Sequence, residues 1–145
     1  MNITTFSDYT LRVLIYLAVH TSNAHAKASA QTIAASYGIS FHHIAKAAQW
    51  LAREGYVHAE RGRSGGLRLA REPALINIGE VLQRAEQGSA LVNCMKSDGG
   101  TCAITPACGL KHALAEAQGA FYKTLSGYTL ADIAAQKSNL VNLLA

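Results

Sequence analysis

The sequence predicts a mainly α-helical fold with a small β-hairpin wing: a winged helix-turn-helix domain followed by a long C-terminal dimerisation helix. Three observations predict it. Apolar residues recur at helical spacing along most of the chain. One helix ends at Gly38 and another begins at Ser40, the helix-turn-helix pattern. The period then switches to short strand-like runs on either side of Gly62-Arg63-Ser64-Gly65-Gly66.

Taken in order, Thr5 to His20 forms a first helix, with Phe6, Leu11, Val13, Leu14, Leu17 and Ala18 on a broad apolar face. Asn23 to Lys27 is a loop. Ser29 to Tyr37 is a second helix, with Ile33 and Ala34 turned inward. A third, capped by Ser40, runs to about Arg53 with Ile44, Ala47, Ala48 and Leu51 inside. Trp50 reads as core. Tyr56 to Arg61 and Leu67 to Leu69 are strands flanking the glycine-rich tip. Asn77 caps a short helix from Ile78 to about Glu86. Thr105-Pro106 starts a long helix running to about Ser126. Its apolar positions Leu110, Leu114, Ala117, Phe121 and Leu125 make one narrow stripe, the pattern of a helix that pairs with another helix. A short helix from about Leu130 to Lys137 leads into an apolar tail. The division expected is residues 1–75 for the winged domain, 76–109 for a short helix and a cysteine-bearing loop, and 110–145 for the dimerisation helix and tail.

Composition narrows the function. The 145 residues are 50% hydrophobic and 15% charged, enough for a buried core and too ordered in composition for a disordered chain. No apolar run spans a bilayer, and the N-terminus lacks a basic n-region and a cleavage-like site. A reducing cytoplasm is therefore expected, with no membrane partner. The net charge of +4 is unevenly placed. Residues 1–75 hold eight Lys/Arg against four acids, whereas residues 76–145 hold five of each. The cationic half is the half with the helix-turn-helix, as a polyanion-binding surface requires.

The second helix of such a motif enters the major groove with its N-terminal residues at the base edges. Here those residues are Ser40, Phe41, His42, His43 and Lys46. The hydroxyl and imidazole groups suit hydrogen bonds to bases or phosphates, and Lys46 suits a phosphate. The hairpin tip adds Arg61, Arg63 and Ser64, cations on a pliant loop that reach phosphates or a narrow minor groove. Double-stranded operator DNA is the expected partner. No catalytic pair or substrate-pocket pattern is present, which favours a regulator over an enzyme.

The three cysteines, Cys94, Cys102 and Cys108, all lie in one Gly/Ser/Thr/Asp-rich segment. An odd number of soft ligands, with no secretion signal, points to a metal or redox site rather than to disulfides. Cys108, placed in the first turn of the helix that starts at Pro106, gains from the free N–H groups there, which stabilise a thiolate. The spacings, seven and five intervening residues, exceed those of common zinc sites. Iron–sulfur clusters tolerate looser spacing. Zinc with His112 as fourth ligand, and a purely thiol-based redox or iron-responsive switch, both stay open at this point.

These parts together resemble the winged-helix bacterial repressors that include the nitric-oxide sensor NsrR and the cluster-biogenesis regulator IscR. The residues that carry the resemblance are Thr5-Phe6-Ser7-Asp8-Tyr9, the wing from Arg61 to Leu69, Ile78-Gly79-Glu80-Val81, the cysteine segment and Tyr128-Thr129-Leu130-Ala131-Asp132. The match is closest to NsrR-like members. The resemblance implies a homodimer crossed by the long helix, a palindromic operator, and one iron–sulfur cluster per subunit, [4Fe-4S] or else [2Fe-2S], with nitric oxide as effector. It also implies a fourth ligand. IscR-type members use a histidine three residues after the last cysteine, where this chain has Lys111, its histidine standing at 112. NsrR-like members can use a carboxylate from the partner subunit, and Asp8 matches that position, with Arg12 one turn on to hold it when it is free. Read locally, Thr5-x-x-Asp8 instead fits a capping box that merely closes the first helix.

Overall fold

Helix α1 (Thr5–His20) is the axis on which the rest of the chain packs. The computed structural model describes residues 2–20, 26–62 and 65–145. Val13, Leu14 and Leu17 on α1 are fully buried against Ile33 of α2 (Ala30–Tyr37) and Ile44, Ala47 and Leu51 of α3 (Phe41–Arg53). Ser29 caps α2, its hydroxyl accepting from the Thr32 N–H at 2.9 Å. Gly38 ends it at φ +63°, a left-handed conformation that costs glycine little and lets the chain turn directly into α3. Ser40 occupies the N-cap of α3, but its hydroxyl makes no capping bond, contrary to expectation. The His43 N–H, which a capping hydroxyl would take, donates instead to the Ser40 carbonyl at 3.1 Å.

The hairpin pairs β1 (Val57–Glu60) with β2 (Gly66–Leu69) antiparallel, in the register Val57 to Leu69 through Glu60 to Gly66. Ala28 adds a third, single-residue rung: its N–H donates to the Leu67 carbonyl at 3.0 Å, and the Leu67 N–H returns a bond at 2.8 Å. Val57 and Leu67 point into the core, which anchors the wing's base.

Helix α4 (Ile78–Ala85) starts where expected, with Asn77 accepting from the Glu80 N–H at 2.9 Å. The chain from Ser126 to Leu130 is stitched to the segment before and within α4. Asn77 donates to the Ser126 carbonyl at 2.7 Å, Ile78 to Tyr128 at 3.0 Å and Leu130 to Ile76 at 2.8 Å. Two expectations need correction. The helix placed from Pro106 begins later. Thr105–Ala107 is a separate 3-10 turn, and α5 runs from Gly109 to Leu125. The break lies at Cys108, whose ψ of 104° is extended. The apolar tail is also not a tail. After α6 (Leu130–Ile133), α7 (Lys137–Leu143) folds back, with Leu140, Val141 and Leu144 packed against the core. Among the described residues, no helix is long and apolar enough to cross a membrane.

Candidate DNA-reading face and ligand site

Helix α3 divides cleanly. Ile44, Ala47, Ala48 and Leu51 are buried, whereas Ser40, Phe41, His42, His43 and Lys46 are exposed. All five residues expected at base edges or phosphates therefore share the open side of one helix. Arg61 is likewise exposed beside the wing; Arg63 and Ser64 lie outside the described residues.

Sequence reasoning missed what stands behind this face. The Tyr9 ring lies against the His43 imidazole, centroids 5.5 Å apart and tilted by 36°. Phe6 meets Trp50 edge-on at 5.8 Å, and the Lys46 ammonium sits 5.7 Å from the Phe6 centroid. Trp50 also stacks on Tyr56 at 6.2 Å and is only half-buried, short of the full core position expected. The signal was present as Phe6 and Tyr9 at i, i+3 on α1, but spacing alone does not say which neighbour that stripe meets.

Missed too was Glu60 as a clamp. It pairs with Lys27, and Arg68 approaches it at 3.5 Å. Lys27, and to a lesser degree Arg68, hold its carboxyl below the usual range against the opposing effect of burial. Two of the eight cations of the N-terminal half are thus partly neutralised at the base of the wing.

Asp8 sits on the first turns of α1 and lines an open cleft with Asn2, Ile3, Thr5 and Tyr9. It does not close a capping box. Thr4 is the residue that caps, its hydroxyl accepting from the Ser7 N–H at 3.2 Å. The other half of the cap comes from far along the chain: Glu86 accepts from the Thr4 N–H at 2.7 Å and from its hydroxyl at 2.9 Å. Asp8 instead accepts both ways from the Arg12 Nε, at 3.1 and 3.0 Å. That bond raises the pKa of Arg12, with burial opposing. Arg12 is fixed in turn: its guanidinium lies 5.6 Å from the Tyr37 centroid, and the Tyr37 hydroxyl donates to the Arg12 carbonyl at 3.1 Å. Burial pushes the Tyr37 phenol up to about 12, with Arg12 pulling against it, so it stays a neutral donor.

All three cysteines are free thiols; Cys94 and Cys108 are half-buried and Cys102 is exposed. Cys94 lies in a 3-10 turn, Asn93–Met95, and Cys108 is the N-cap residue of α5 rather than a residue of its first turn. Among the described residues, no three His, Cys, Asp or Glu side chains converge on a single-ion position. His112 stands exposed on α5 without such a set around it. The donor types on this loop are those a larger inorganic group would take. Three unspent thiols line one loop, and the Thr105 hydroxyl between Cys102 and Cys108 is buried without a hydrogen-bond partner, a donor awaiting an acceptor. The loop is also tightly folded: a Cβ on Gly100 would stand 2.7 Å from the Asn93 carbonyl, next to Cys94.

Comparison with known proteins agrees with this arrangement. The Rrf2 family model, described as an iron-dependent transcriptional regulator, matches residues 3–136. The chain is 43% identical to the HTH-type transcriptional regulator NsrR of Bacillus licheniformis over 145 residues, all of both chains. Its fold is similar to CymR, the global cysteine regulator of B. subtilis, with a TM-score of 0.72, 25% identity and coverage of 94% of this chain and 98% of that one. T. potens IscR is similar at a TM-score of 0.70 and 25% identity, covering 94% and 88%. The open α3 face, the wing and the full-length match together make this chain a DNA-binding transcriptional regulator, not an enzyme, and a member of the Rrf2 family.

Proposed function

We propose that the chain is a nitric-oxide-sensing repressor that holds operator DNA as a homodimer while an iron–sulfur cluster is bound, and releases it when nitric oxide reacts there. Cys94, Cys102 and Cys108 would hold the cluster, most naturally [4Fe-4S], with Asp8 of the partner subunit as fourth ligand. A bound cluster supplies irons open to nitric oxide; the protein supplies everything else. Asp8 is a hard oxygen donor among soft thiolates, so its bond is the easiest of the four to give up. While ligated it ties α1 of one subunit to the cysteine loop of the other. That tie sets the separation of the two α3 helices, which must match half-sites a whole number of helical turns apart, about 34–36 Å for one turn. Once freed, Asp8 returns to Arg12, the partner it has in this structure. The two states then differ in affinity for DNA, the condition for any effector to act as a switch.

The observation that carries the reading is the unspent Asp8 carboxylate. It is excused from capping by Thr4 and Glu86, faces an open cleft, and among the described residues takes its side-chain hydrogen bonds from the neighbouring Arg12. The test is anaerobic purification, with iron and sulfide assayed and the visible spectrum followed as nitric oxide is added. A sulfide-to-iron charge-transfer absorption that collapses with nitric oxide is expected, together with loss of binding to a duplex selected by the protein from a randomised pool. Absence of iron and of that absorption overturns the reading. The Asp8→Ala variant should keep the fold yet lose the nitric-oxide-sensitive part of DNA binding; unchanged spectra and binding would remove Asp8 from the ligand set. A second reading, a thiol redox repressor, is favoured by the exposure of Cys102. Diagonal electrophoresis after peroxide would reveal its disulfides.

A further inference from the structure

The first turns of α1 send their side chains two ways. Asp8 faces the open cleft and Phe6, one helical turn before Tyr9, faces α3; Tyr9 does both, lining the cleft beside Asp8 and reaching His43 with its ring. Tyr9 directly follows Asp8, so whatever repositions the Asp8 backbone repositions Tyr9. The Tyr9 ring carries the His43 imidazole at 5.5 Å, and Phe6 lies 5.7 Å from the Lys46 ammonium. His43 and Lys46 are two of the five α3 residues on the DNA-reading side. Ser7 and Thr10, which flank Asp8 and Tyr9, are fully buried, as are Val13, Leu14 and Leu17 further on, so the core-facing side of α1 is held along its length. A local adjustment on the other, half-buried side of its first turns, where Phe6, Asp8 and Tyr9 lie, is therefore delivered where the aromatic rings meet α3.

We propose that Tyr9 is a positioning residue that passes the state of Asp8 to His43, and so to the DNA-reading helix of the same subunit, through the contact of their two rings. The proposal deepens the repressor reading and rests on Asp8 being a ligand. It adds an intra-subunit route to the inter-subunit tie. When Asp8 is drawn toward the partner's loop, Tyr9 turns with it, and the imidazole resting on its ring is re-aimed at the groove. Phe6 under Lys46 follows the same displacement.

The test uses the full-length protein carrying Tyr9→Leu, which keeps an apolar side chain of moderate size without the ring, and Tyr9→Phe, which keeps the ring. Iron, sulfide, visible absorption and affinity for the selected duplex are measured before and after nitric oxide. Coupling between linked sites commonly spans 5- to 150-fold. Tyr9→Leu should retain cluster absorption and its collapse with nitric oxide while the ratio of the two affinities falls toward one; Tyr9→Phe should restore the wild-type ratio. A merely structural role would lower thermal stability or both affinities equally without moving the ratio. A wild-type ratio that survives Tyr9→Leu overturns the relay alone. Loss of cluster absorption in Tyr9→Leu also overturns it, since Tyr9 would then act on the ligand site. A ratio of one in the wild type overturns the sensing reading itself. Independently, the His43 imidazole resonance in cluster-free protein should carry a ring-current shift that Tyr9→Phe keeps and Tyr9→Leu loses; a shift unchanged by Tyr9→Leu overturns the contact.

Discussion

Glu86 is a buried carboxylate that accepts two hydrogen bonds from Thr4, 82 residues away. Burial pushes its carboxyl up, but hydrogen bonds from Ser7, Thr4 and Ser89 outweigh that and hold it below the usual glutamate range. It fastens the start of the Asp8-bearing helix to the end of α4, where the cysteine loop begins. Glu86→Ala strands the Thr4 N–H and should cost about 1–3 kcal/mol. Calorimetry would read this as a fall in Tm of about 2–4 °C per kcal/mol. A depressed carboxylate stabilises the fold above its unfolded pKa, about 4.3, and that contribution is lost as pH drops through the lower folded value. The Tm gap between wild type and Glu86→Gln should therefore be full at neutral pH and close below about pH 4. A gap independent of pH would mean that the ionised form contributes nothing. Glu60 makes a different prediction. It occupies Lys27 and Arg68 at the base of the wing. Glu60→Gln frees both for phosphates, so binding to non-specific duplex should strengthen and its log–log salt slope should steepen by up to about 1.8. An unchanged slope would mean that neither cation reaches DNA.

At the scale of elements, helix periodicity and cap chemistry carried α1, α2, α3 and α4 to within a residue or two of their ends, because each has an apolar stripe and a polar or glycine terminus. The hairpin was legible for the complementary reason: Gly62, Gly65 and Gly66 interrupt one run and start another. What could not be read were features decided by tertiary contact. The helix α7 lacks a side-chain cap and exists because Leu140, Val141 and Leu144 find the core. Pro106 is a strong helix-start signal, yet Cys108 takes an extended backbone and moves the start of α5 onward. At the candidate site, residue types were legible and pairings were not. Asp8 and Arg12 were visible at i, i+4, whereas Tyr9 on His43 joins two helices whose contact no local spacing encodes. The junction of α4 with the end of α5 depends on Gly79, where a Cβ would stand 2.3 Å from the Ser126 Oγ and 2.5 Å from its backbone nitrogen. Gly79→Ala must push the two helices apart and should destabilise by about 1–3 kcal/mol. A melting curve no different from wild type would show that the junction gives way freely.

For the molecule as a whole, α5 is the element that one chain leaves unfinished. None of its residues is buried, and Leu110 at its start is 66% exposed. Leu114, Phe121 and Leu125 continue the same side and are only half-covered. A helix with a narrow apolar stripe and polar flanks finds its partner in another helix, and a second copy of α5 presents the same stripe in return, as two-fold symmetry requires. Pairing two copies would also place two α3 helices on one duplex, which converts the second half-site contact into an intramolecular one and raises affinity by about 10²–10⁴. Light scattering on the wild type should therefore give twice the chain mass of 15.4 kDa. The Leu114→Glu, Phe121→Glu double variant should give a single chain with the circular dichroism of the wild type, since neither side chain belongs to the buried core of one subunit. Its affinity for the two-half-site duplex should fall by about 10²-fold or more, while its affinity for an isolated half-site stays the same. A double variant that still runs as a dimer would move the interface off α5. A monomer that binds the full site as tightly as the wild type would show that this chain reads its operator one subunit at a time.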